Sequence, residues 1–90
     1  MELSLSRWYR VKPNCKIEGE FSNERKAKRQ PVPSEYRLFS VLMNNTKVTF
    51  FISCKDKEGE WKFLMNGKMK LRVTLKTNQA QFLEEVDFIG

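Results

Sequence analysis

Hydrophobic and polar residues alternate along most of this chain, with a period of two. In LSLSRWYRV (3–11), Leu3, Leu5, Tyr9 and Val11 fall on one side, and Ser4, Ser6, Trp8 and Arg10 on the other. That period predicts a half-buried strand, which Pro13-Asn14 ends. CKIEGEF (15–21) repeats the pattern, with Cys15, Ile17 and Phe21 against Lys16, Glu18 and Glu20. Gly19 falls on the apolar side and predicts a bulge or a close approach. YRLFSVLM (36–43) differs, with Tyr36, Leu38 and Leu42 on one face and Phe39, Val41 and Met43 on the other. Two apolar faces predict a central strand covered on both sides. KVTFFISC (47–54) places Val48, Phe50, Ile52 and Cys54 on one face, and Phe51 among polar residues on the other. Asn44-Asn45 predicts a two-residue turn with positive φ angles between these last two strands.

WKFLMNGKMKLRV (61–73) reads as a hairpin around Asn66-Gly67. A two-residue loop would pair Phe63 with Lys70 and Trp61 with Arg72, setting aromatic residues among bases. A three-residue loop, Met65-Asn66-Gly67, would pair Phe63 with Met69 and Trp61 with Leu71. Burying Trp61 and Phe63 is worth about 1.5–3 kcal/mol each. Repulsion between Lys62 and Lys70 costs about 1 kcal/mol or less. The three-residue loop is therefore favoured. Trp61 and Phe63 become core residues, and Lys62, Lys70 and Arg72 form a basic strand face with Glu60 and Thr74.

Two segments break the pattern. SNERKAKRQPVPS (22–34) holds Arg25, Lys26, Lys28 and Arg29 together with Pro31 and Pro33. The prolines oppose regular ladder bonding, so this stretch reads as a basic loop or mobile arm. TNQAQFLEEVDFIG (77–90) supports two readings. Asn78 and Gln81 resemble a capping box, and Phe82, Leu83, Val86 and Ile89 have helical spacing. Phe82, Val86 and Phe88 also alternate with acids as a strand would; the helix is the favoured reading. The expected fold is a single mainly β domain over 1–90. It has five or six antiparallel strands in a strongly curved sheet or small OB-like barrel, and at most one short C-terminal helix.

Composition narrows the function. Ninety residues carry 17 Lys and Arg against 11 Asp and Glu, a net charge of +6. Glu84, Glu85 and Asp87 give residues 77–90 a charge of −3, leaving +9 on residues 1–76. A basic body favours polyanionic partners, although lysines also serve simply to keep a surface solvated. The acidic end could fold over the basic face and compete with a ligand there.

The chain has no histidine, which removes the usual general base and the commonest metal ligand. Cys15 and Cys54 are isolated and read as free thiols, so no metal or other cofactor is expected. Asp56, Glu58 and Glu60 only loosely resemble a calcium loop and read as a charged turn. No Gly-rich phosphate loop occurs, and the protein is expected not to be an enzyme. No stretch has the length and apolarity of a membrane helix, and the N-terminus lacks a signal-peptide pattern, so a cytoplasmic protein is expected.

Strands followed by an amphipathic segment, after a basic arm, resemble the single-stranded-DNA-binding coactivator domains. FLEEVDFIG also resembles the last strand of an OB-fold. Neither resemblance carries a functional residue across. The first functional expectation is a small non-catalytic nucleic-acid-binding protein that favours single strands. Arg25, Lys26, Lys28, Arg29, Lys62, Lys70, Arg72, Trp8 and Arg10 are its binding residues, with Trp8 as the stacking surface. The alternative is a protein-binding module, such as a small inhibitor or assembly factor. It rests on the two-sided apolar strand at 36–43 and on edge strands able to accept a partner. A homodimer is expected as compatible with either.

Overall fold

The computed structural model describes residues 2–22, 26–55, 58, 61–63, 65–66, 69–70 and 72–87, with side chains for all of these except 54–55, 61–63, 65–66 and 69–70. The chain is mainly β. Its strands are β1 (Trp8–Val11), β2 (Glu18–Ser22), β3 (Ala27–Pro31), β4 (Arg37–Met43), β5 (Lys47–Lys55), β6 (Trp61–Phe63), β7 (Met65–Asn66), β8 (Met69–Lys70), β9 (Arg72–Lys76) and β10 (Leu83–Glu85). All described pairings are antiparallel. The main sheet runs β10-β1-β4-β5-β9-β2-β3, with β6 also on β5, and β7 and β8 form a separate small ladder. Among the described residues no ladder joins β10 to β3, so the sheet is open rather than a closed barrel.

Alternation builds one core. Tyr9, Val11, Phe21, Leu38, Val48, Phe50, Ile52, Val73, Leu75 and Leu83 are buried on one face of the sheet. Leu3, Ile17, Val32 and Ala80 from the connections complete the cluster. Gly19 sits in the same layer. A Cβ there would fall inside contact distance of Val73 Cγ2 and lie 2.7 Å from Leu75 Cδ2. The apolar-side glycine therefore marks a close approach.

Turn chemistry sets the strand ends. Cys15 N–H donates to the Lys12 carbonyl at 3.1 Å, closing a turn with Pro13 second and Asn14 third, at φ 67°. Proline followed by a residue that tolerates positive φ is the pattern of a type II turn. The β4–β5 turn falls one residue later than expected. Asn44 N–H donates to the Lys47 carbonyl at 3.0 Å, leaving Asn45 and Thr46 as the central residues. Neither has positive φ. The Asn44 side-chain oxygen holds the turn by accepting from the Thr46 and Lys47 N–H groups at 2.9 and 2.7 Å. Asparagine here acts through its side chain rather than through a left-handed backbone.

Further expectations change. The 3–11 strand begins only at Trp8. Ser6 N–H donates to the Ser40 carbonyl while Ser40 N–H donates to the Arg7 carbonyl, so two residues oppose one, and Ser6 takes φ 60°. This is a bulge, and alternation cannot register the extra residue. Within the supposed mobile arm, residues 27–31 form edge strand β3 against β2. Val32 N–H donates to the Ile17 carbonyl, so Val32, Gln30 and Lys28 direct their backbone groups inward and Pro31, Arg29 and Ala27 direct theirs outward. Proline is tolerated at an edge position whose N–H would have no ladder partner. Finally, 77–90 is neither all helix nor all strand. Thr77–Phe82 is a 3-10 helix, and Leu83–Glu85 is β10.

The 61–73 hairpin is also rearranged. β6 pairs with Ser53–Lys55 and β9 with Lys47–Phe51, so the two strands lie end to end along one edge of β5. Between them, Met65 faces Lys70 and Asn66 faces Met69. Neither expected register occurs. Phe63 stands opposite Ser53, and Trp61 opposite Lys55, instead of opposite Met69 and Leu71. The nine-residue β5 offers a longer edge than either strand can cover, and two segments share it.

Candidate nucleic-acid interface

The face of the sheet opposite the core carries a row of residues in register. Trp8 lies opposite Phe39, Phe39 opposite Phe51, Phe51 opposite Arg72, and Arg72 opposite Ser22. Directly opposed residues share a face, so three aromatic side chains and one arginine cross β1, β4, β5 and β9. The aromatics are half-buried and Arg72 is exposed. The Trp8 and Phe39 rings have centroids 4.9 Å apart and are tilted by 45°.

Two residues along each strand, Arg10 and Arg37 occupy the next row, between Glu84 on β10 and Ser53 on β5. The Arg10 Nε–H donates to Glu84 Oε1. Burial, and then the neighbouring Arg10 guanidinium, lowers the Arg37 pKa from its ordinary value, while Glu84 acts in the opposite sense. Two like charges therefore stand together, with one carboxylate already engaged by Arg10.

The expected site residues are distributed unevenly. Trp8, Arg10 and Arg72 share the outer face. Arg29 also lies on this face, opposite Glu20, and its Nε–H donates to Glu18 Oε2 at 3.0 Å. Lys28 is opposite Phe21 and so belongs to the other side of the sheet. Lys26 is exposed just ahead of β3. Arg25 lies outside the described residues, as do the side chains of Lys62 and Lys70. In the backbone register, Lys62 faces Cys54 and Lys70 faces Met65, so neither shares a hairpin ladder with Arg72. The basic residues of β3 sit where charge also protects an open strand edge from association.

Sequence reasoning missed Phe39, Phe51 and Arg37 as parts of this surface. A signal was present, because Phe39 and Phe51 were the apolar residues on the second faces of their strands. Only the inter-strand register aligns them with Trp8. The acidic end does engage bases, through Arg10–Glu84 on β1 and through Arg7–Glu85, just ahead of β1, at 3.4 Å.

Cys15 is a free, half-buried thiol. Among the described residues no group of acids and cysteines could hold a metal ion, and no helix is long and apolar enough to cross a membrane. No protein-family model, curated protein sequence or solved structure matches this chain, so the reading of the site rests on its own geometry.

Proposed function

We propose that this domain is a non-catalytic binder of single-stranded nucleic acid, and that the outer face of β1, β4, β5 and β9 is its binding surface. The observation that carries the reading is the registered row Trp8–Phe39–Phe51–Arg72. Bases of any sequence stack on aromatic faces, and each such contact is worth about 1–3 kcal/mol. Arg72 at the end of the row, with Arg37 and Arg10 beside it, supplies charge for the phosphates. A duplex buries its base faces and offers nothing to this row, so single strands are the preferred ligand. A strongly curved sheet would suit a flexible strand and belongs to the same proposal. The second apolar face of β4 is then used for stacking rather than for a homodimer.

The test is a titration of labelled single- and double-stranded oligonucleotides at about 50 and 200 mM salt, over which phosphate contacts lose affinity steeply. Single-strand binding that weakens with salt and with Phe51→Ala supports the proposal. Equal binding of duplex and single strand, or none at the lower salt, rejects it.

One observation favours a protein-binding module instead. The open edge of β3 presents the outward backbone groups of Ala27 and Arg29 for strand addition. Light scattering of the isolated protein, together with the failed titration, would bring that reading forward.

A further inference from the structure

Two lysines outside the aromatic row raise a separate question. Lys47 on β5 and Lys76 on β9 are direct register partners, and both are exposed. They lie on the outer face, because Thr49–Thr74 and Phe51–Arg72 continue the same alternation along the same two strands. Like charges directly opposed across a ladder are destabilising. Among the described residues no carboxylate is paired with either lysine.

The backbone fixes both positions. Lys47 N–H donates to Asn44 Oδ1 at 2.7 Å, and Lys76 N–H donates to Gln79 Oε1 at 3.0 Å. Thr77 N–H donates to the Thr46 carbonyl at 3.0 Å, tying the β4–β5 turn to the start of the 3-10 helix. The fold thus holds an unfavourable charge pair on a braced frame.

We infer that Lys47 and Lys76 form a second anion site that takes the phosphodiester backbone of a single strand already stacked on the aromatic row. This inference rests on the proposed function above. Lys76 is four residues from Arg72 on β9, or about 13 Å at strand spacing. That is the rise of about four stacked nucleotides at roughly 3.4 Å each. Thr74 and Thr49 line the interval between the two sites, and Glu20 on β2 borders it opposite Thr74. The pair serves ligands longer than the row itself, and a bound phosphate relieves the repulsion between the two amines.

The experiment compares Lys47→Gln/Lys76→Gln with the unaltered protein, using a tetranucleotide and a dodecanucleotide. Loss of two phosphate contacts should weaken dodecanucleotide binding about tenfold at low salt and reduce the salt slope by roughly 1. Tetranucleotide binding should change less than about twofold, because the row alone spans that length. The melting temperature should stay level or rise, and Lys47→Arg/Lys76→Arg should bind as the unaltered protein does. An unchanged dodecanucleotide affinity overturns the second site and leaves the aromatic row standing. Equal weakening for both lengths also overturns it, because the lysines would then act only through net charge. If the unaltered protein binds neither oligonucleotide, the proposed function fails, and this inference with it.

Discussion

Trp8 and Phe39 occupy directly opposed positions on β1 and β4, and their ring centroids are 4.9 Å apart on the side of the sheet away from the core. At a tilt of 45° the two rings pack against each other and leave no slot for a base between them. A ligand base would stack on an outer ring face, next to Phe51 and Arg72. Replacing Trp8 or Phe39 by alanine should therefore weaken single-strand binding by about 1–3 kcal/mol, or roughly 5- to 150-fold. Trp8 also provides the readout, because its fluorescence should change on titration with oligonucleotide. A Trp8→Ala protein that binds with full affinity would remove this residue from the surface.

Glu84 competes with phosphate for Arg10. Glu84→Gln removes the negative charge and keeps the side-chain shape, so single-strand affinity should rise by about two- to fivefold at low salt. The gain should shrink as salt screens the charge. Stability should fall by no more than about 1 kcal/mol, because the pair is partly exposed. Anisotropy titrations at two salt concentrations check this, and a loss of affinity would show that Glu84 helps to build the site rather than to block it.

Gly19 faces the core, where Val73 and Leu75 leave no room for a methyl group. Gly19→Ala should destabilise the fold by about 1–3 kcal/mol through overpacking. The midpoint of urea unfolding should fall with little change in slope. An unchanged midpoint would mean that β2 and β9 can separate without cost.

Ser6 and Asn14 both have positive φ, at 60° and 67°. Asparagine tolerates that region, whereas serine gains nothing there. Ser6→Gly should raise stability by about 0.5–1 kcal/mol, the left-handed strain relieved exceeding the added freedom of the unfolded chain. Asn14→Gly should be close to neutral. A urea midpoint that falls for Ser6→Gly would assign the serine hydroxyl a role that its backbone conformation does not reveal.

The residues of the strands announced much of the fold and less of the candidate site. The predicted core faces of β1, β2 and β5 match those found, because period-two alternation follows directly from the pleat of a strand, whereas in β4 a register shift between Ser40 and Leu42 turns Leu42 outward and Met43 toward the core. Trp8, Arg10 and Arg72 could be placed on a polar face from local sequence alone. Their assembly with Phe39, Phe51 and Arg37 could not, because β1 and β4 are separated by 25 residues and β5 and β9 by 16. The basic segment 22–34 looked irregular because proline normally breaks ladders. It became an edge strand because Pro31 sits where no ladder N–H is needed.

The alternation along most strands, the charge split between the body and the acidic end, and the end of the first strand at Pro13-Asn14 are local properties that the sequence settled unaided. Strand partners, the bulge at Ser6 and the division of the β5 edge between β6 and β9 were decided only when the chain closed on itself. A strand's own residues specify which side is buried, but each ladder is chosen by competition among all strands for a limited set of backbone donors and acceptors. The aromatic row exists only as a product of that competition.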